Sequence, residues 1–140
     1  MLAKFRNLPV YLALISTLLP ASLEKFLGGR TPDWFIKQFT GSLMDVFPGS
    51  LTLSFYLIAC LEAASAITLI VSLAKGEFLP AKKKPVLLVA LILCEVTFVS
   101  LSFGQRITHQ FDGAFQLFAY AILTFLAGAM ILKKESEAIA

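Results

Sequence analysis

Residues 51–74 read LTLSFYLIACLEAASAITLIVSLA, with a single formal charge, Glu62, at the middle. At ~1.5 Å per helical residue the stretch is ~36 Å long, enough to cross the ~30 Å hydrocarbon core of a bilayer. It is apolar throughout rather than alternately apolar and polar, so it reads as a helix and not as a barrel strand. Outward from it, three more runs of similar length appear at 8–26, 86–103 and 114–132, each bounded by charges or by Pro/Gly clusters. The expected fold is therefore all-α: an integral membrane four-helix bundle forming one transmembrane domain over 1–140. Composition agrees, since 58% of the 140 residues are hydrophobic and 15% charged, against ~25% charged in a soluble domain. A soluble nucleic-acid binder is excluded on the same ground, because the net charge of +3 forms no basic stripe.

Charge placement orients the spans. Eight of the twelve Lys/Arg fall in the N-terminal tail (Lys4, Arg6), the 75–84 loop (Lys75, Lys82, Lys83, Lys84) and the C-terminal tail (Lys133, Lys134). By the positive-inside rule both termini are expected in the cytoplasm. The first span is expected to be retained, because Glu24-Lys25-Phe26 follows it where a signal peptide would carry a small-x-small cleavage site. Between the first two spans, Phe35, Phe39, Leu43 and Phe47 recur every four residues. That spacing predicts an amphipathic interfacial helix over about 33–47, begun by Thr31-Pro32-Asp33 and ended by Pro48-Gly49. Such a segment could cap a cavity between the spans or float as a connector.

Two carboxylates carry most of the chemical interest. Glu62 and Glu95 lie near the midpoints of the second and third spans, where a charge costs ~2.5–3.5 kcal/mol and usually faces the bundle interior. In antiparallel spans two midpoints share a height, so the pair could meet and share a proton, or each could be interhelical glue. Ser54, Glu62, Ser65 and Ser72 fall on one face of the second span, Gln116, Tyr120 and Thr124 on one face of the fourth, and Glu95, Ser102 and Arg106 line up along the third. Arg106, His109 and Asp112 crowd the last outside loop, as a relay, as ligands for a quinone headgroup or an anion, or as a solvated turn. Glu24 and Lys25 could pair at the lip of the first helix, or Lys25 could snorkel to the interface. The candidate ligand-binding residues are thus Glu62, Glu95, Gln116, Tyr120, Arg106 and His109, with Glu62 and Glu95 the candidates for any catalysis. With one histidine and no C-x-x-C, the chain offers no metal centre and no thiol-redox pair; Cys60 and Cys94 read as packing residues.

Three elements are similar to the DoxX-like group of small bacterial four-helix membrane proteins: Ala21-Ser22-Leu23-Glu24-Lys25-Phe26 at the end of the first helix, Trp34-Phe35-Ile36-Lys37-Gln38-Phe39 in the outside segment, and Phe55-Tyr56-Leu57-Ile58-Ala59-Cys60-Leu61-Glu62 in the second span. The likeness extends in topology over 8–132 and in motif over 12–74. Pro20-Ala21-Ser22 stands where relatives commonly carry a glycine, and Glu95 is not a family feature. The resemblance implies an accessory subunit of a bacterial inner-membrane complex, linked to quinone-dependent redox chemistry, without itself implying a catalyst. A small homo-oligomeric transporter or proton relay using Glu62 and Glu95, and an enzyme acting on lipid or quinone, are the competing expectations.

Overall fold

The computed structural model describes residues 5–139, so Lys4, counted among the tail charges, lies outside it. The described residues form five helices and no strand: α1 (Leu8–Leu27), α2 (Asp33–Phe39), α3 (Ser50–Ala74), α4 (Pro85–Ile107) and α5 (Phe111–Ile139). All but α2 are long and apolar enough to cross a membrane. They pack as consecutive antiparallel neighbours, α1 on α3, α3 on α4 and α4 on α5, so both chain termini lie at one end and α2 at the other. The shared core runs through Tyr11, Leu14 and Leu18 of α1, Ala66 and Leu69 of α3, Leu87, Leu91 and Phe98 of α4, and Ala121 and Ile131 of α5.

Helix ends follow local chemistry. Pro9 and Pro85 occupy first turns, where a missing N–H leaves no bond unmade. Gly49, at φ +89°, turns the chain into α3 through a conformation that side chains resist. Two spans exceed their expected lengths. α4 continues past 103 to Ile107, and the Phe39 ring lies against it at Gly104. It stops where His109 enters the left-handed region at φ 62°. α5 begins at Phe111 rather than 114, and it runs past 132 through Lys133 and Lys134 to place Glu135 Oε1 on the backbone N–H of Lys84.

The interfacial helix is shorter than the four-residue periodicity predicted. α2 ends at Phe39; Thr40 is extended, Gly41 takes φ +75°, and Asp45 accepts the Gly41 N–H to close a turn. Only the first half of the apolar series is therefore used. Phe35 and Phe39 are buried with Leu51 and Phe55, whereas Leu43 and Phe47 are exposed. α2 is anchored rather than floating, since Gln38 Nε2 donates to Gln105 Oε1 at 3.2 Å and to Thr108 Oγ1 at 3.0 Å.

Candidate functional site

Two polar contacts fix the vertical register of α1 against α3. Near the terminal end, Tyr11 Oη lies 2.8 Å from Ser72 Oγ. From Tyr11 to Lys25, α1 rises ~21 Å, while from Ser72 to Glu62, α3 rises ~15 Å. The ~6 Å difference is within the reach of a lysine side chain, which on a helix points back towards the N-terminus. Lys25 Nζ does reach back, donating to both Glu62 oxygens at 2.9 Å and to the Ala21 carbonyl at 3.3 Å. Glu62 is buried, and the lysine side chain is one-fifth exposed. Neither Glu24 nor the membrane interface takes the ammonium, so Lys25 is not the snorkelling or Glu24-paired residue its local sequence describes.

The same register means that α1 stops ~9 Å short of the α2 end of α3. Above that short end the chain makes its loop and α2. Beside it opens a cleft of about 610 Å³ between α2, α3 and α4. Its walls include Trp34, Phe35, Phe39 and Phe55, and Lys25, Ser54, Ser100 and Gln105 supply its polar atoms. The rings form a packed set, with Phe35 4.4 Å from Phe39 and 5.0 Å from Phe55 between centroids. Lys25 reaches this apolar space already paired with a carboxylate, so the ion pair brings polarity to the cleft without net charge. Glu62 itself is not part of the lining.

The remaining candidates are dispersed. Ser65 Oγ meets Thr97 Oγ1 at 3.2 Å, which sets α3 against α4 and places Glu62 level with Ser100 and Glu95 level with Ile67. Glu62 and Glu95 are thus offset by ~7.5 Å along the axis, and the carboxylates do not pair. Glu62 engages Lys25, while Glu95 Oε1 is enclosed with no hydrogen-bond partner. Arg106, His109 and Asp112 are exposed. Arg106 lies over the Phe111 ring at 4.6 Å, and His109 packs its edge near the same ring. Gln116 is exposed, Tyr120 sits against Phe98, and Thr124 Oγ1 donates to the Tyr120 carbonyl. The stripe on α5 therefore spends its buried hydroxyl within its own helix. On α3, Glu62 and Ser72 are buried in contacts that leave their own helix, while Ser65 gives its proton to the Leu61 carbonyl of α3 and meets Thr97 only as a packed neighbour. Cys94 is a packing residue, but Cys60 is exposed on the outside of α3.

A second buried carboxylate, Glu77, lies in the 75–84 loop, where no span depth marks it in the sequence. Its Oε2 accepts from Ser72 Oγ at 2.9 Å and from the Leu87 N–H at 2.7 Å, and its Oε1 accepts from the Val86 N–H at 3.3 Å. Ser72 gives its proton to Glu77, so Tyr11 is the donor to Ser72. The chain Tyr11–Ser72–Glu77 ties α1 and α3 to the first turn of α4, whose free N–H groups favour a negative charge. Nearby, buried Lys84 donates from Nζ to the carbonyls of Leu79 and Lys82. This end of the bundle is a closed clamp, and the open space lies at the other end. No family model, curated protein or solved structure matches this chain.

Proposed function

We propose that this small multi-pass membrane protein is a DoxX-like accessory subunit of a bacterial inner-membrane complex, and that its cleft holds a neutral amphiphile such as a quinone or an uncharged lipid. The observation that carries the reading is the Lys25–Glu62 ion pair beside an aromatic cleft. Aromatic walls favour a flat or chain-like apolar body. With the three lysine protons already given to Glu62 and the Ala21 carbonyl, Ser54 and Gln105 are the cleft groups that meet a carbonyl or hydroxyl headgroup, and no net positive charge is left to select a phosphate. The pair also joins the first and third of the sequence elements that resemble the DoxX-like group. In this reading the lysine-rich terminal end is cytoplasmic and the cleft opens into the outer leaflet. A relay through Glu62 and Glu95 is disfavoured by their offset. General acid–base work by Glu62 is disfavoured by its separation from the cleft lining.

The test is extraction of tagged protein from its native membrane in mild detergent, with mass spectrometry of both the co-purifying proteins and the extractable small molecules. Stoichiometric membrane subunits, together with a neutral amphiphile that is lost in Lys25→Met, are expected. Recovery of the chain without other subunits, or a ligand content unchanged by Lys25→Met, overturns the proposal.

A further inference from the structure

A second cavity lies away from Lys25. A groove of about 530 Å³ runs between α4 and α5 at the α2 end, walled by Phe103, Phe115 and Phe118. All three rings are exposed, so the groove opens sideways, towards lipid. Val99 and Phe103 line both this groove and the cleft beside Lys25, and they form the ridge of α4 that stands between the two spaces. Polar side chains are scarce in the groove. Ser102 spends its proton on the Ala114 carbonyl of α5, which leaves Arg106 as the one charged group in the lining.

The setting of Arg106 matches that of a lipid phosphate in charge and in depth. Its guanidinium lies 4.6 Å over the Phe111 ring, a contact made by the face of the cation. The N–H donors lie in the guanidinium plane and stay available to another partner. The one ion pair among the described residues joins Lys25 to Glu62, so the Arg106 charge is not compensated there. Asp112, the carboxylate nearest in sequence, is outside the groove lining. Glu95 marks the middle of α4, and Arg106 lies ~16 Å further along the helix. Half of a ~30 Å hydrocarbon core is ~15 Å, so Arg106 stands at its boundary. Val99 lies ~10 Å deeper, and the groove thus leads from headgroup depth into the depth of the acyl chains.

We propose that the α4–α5 groove binds an anionic glycerophospholipid, with one acyl chain laid along Phe115 and Phe118 and the phosphate hydrogen-bonded to Arg106. A planar guanidinium offers a phosphate two parallel N–H bonds, and basic pockets between membrane helices take lipid headgroups of this kind. The lining holds no carboxylate to receive the ammonium of a zwitterionic headgroup, which favours a lipid of net negative charge. An isoprenoid or other uncharged chain would cover the rings and leave Arg106 unmatched. A soluble anion would match Arg106 and leave the rings uncovered. The site differs in kind from the neighbouring cleft, where the lysine charge is already answered by Glu62, and it does not depend on what occupies that cleft.

The test is fluorescence quenching by phospholipids brominated on their acyl chains, in vesicles that mix phosphatidylglycerol with phosphatidylcholine. The reporter is Phe115→Trp, in a Trp34→Phe background that removes the one native tryptophan. The comparison is Ile67→Trp in the same background, exposed on α3 at the depth of Glu95 and so remote from Arg106. Brominated phosphatidylglycerol should quench the Phe115→Trp reporter with roughly fivefold preference over phosphatidylcholine, the factor that one arginine near a membrane surface supplies. Arg106→Gln should abolish the preference with the melting temperature unchanged, because the side chain is exposed. Arg106→Lys, which keeps the charge without the fork of donors, should retain part of it. Equal quenching by the two lipids at Phe115→Trp, a preference that survives Arg106→Gln, or the same preference at Ile67→Trp each overturns the proposal.

Discussion

Replacing Lys25 by methionine tests the ion pair at the heart of the bundle. The substitution keeps the length and apolar stem of the side chain and removes the cation that pairs with Glu62, which is 2% exposed. Breaking a buried pair by deleting one partner costs ~3–5 kcal/mol, because the remaining charge has no solvent to return to. Glu62→Gln should be milder, ~1–3 kcal/mol, since the amide oxygen still accepts one bond and the one-fifth-exposed lysine keeps its bond to the Ala21 carbonyl. The double replacement Lys25→Met with Glu62→Met removes both charges and fills the space with thioether side chains. It should return to within ~1 kcal/mol of the parent or exceed it, as apolar replacements of buried pairs commonly do. Unfolding free energies in mixed detergent–SDS micelles, measured for the parent, both single methionine variants and the double variant, give the coupling directly. A coupling of at least ~2 kcal/mol is expected, and additivity within ~0.5 kcal/mol would refute the reasoning. The double variant also separates scaffold from site, because it should fold and yet lose the amphiphile proposed for the cleft.

Three further outcomes follow from the packing. Glu77→Ala strips the first turn of α4 of its acceptor and leaves Ser72 without its bond, so it should cost ~1–3 kcal/mol in the same assay; Tyr11→Phe, which removes only the outermost donor of that chain, should cost ~0.5–1.5 kcal/mol. At Gly128 a Cβ would come within 2.9 Å of Leu91 Cδ1, the free end of a flexible side chain, so alanine there should be tolerated. Leucine should overfill the α4–α5 contact by ~1–3 kcal/mol, and the loss should shrink when combined with Leu91→Ala, as thermal melts in detergent would report. Phe39→Ala removes the ring that closes α2 onto Gly104; fluorescence of Trp34, the one tryptophan, should become more readily quenched by acrylamide, and equal quenching in parent and variant would count against α2 as the wall of the cleft.

The four spans are legible in the sequence because a bilayer imposes a length and a polarity that hydropathy reads directly. What links them is less legible, because it depends on how far each helix slides past the next. Treating the spans as level put Lys25 at the membrane surface and Glu62 beside Glu95. The observed fold shifts both, with α1 ending short of α3 and Ser65 rather than Glu62 meeting α4 at Thr97. The long 75–84 connection permits that slide between α3 and α4, and Glu77 and Lys84 set its final value from within the loop. A signal for the Lys25–Glu62 pair was present all the same. Tyr11 and Ser72 are polar residues at matching ends of two neighbouring spans, and pairing them brings the lysine and the glutamate within one side-chain length. The early end of α2 was legible as well, since Thr40-Gly41-Ser42 is a turn sequence that four-residue periodicity overrode. Glu95 is the reverse case. Its depth marks it as costly, but only packing shows that its Oε1 is enclosed with no hydrogen-bond partner among the described residues. The Lys25–Glu62 pair fixes α1 and α3 in one register, whereas Glu95, offset from Glu62 by ~7.5 Å along the axis, buries an oxygen that no neighbouring helix answers among the described residues.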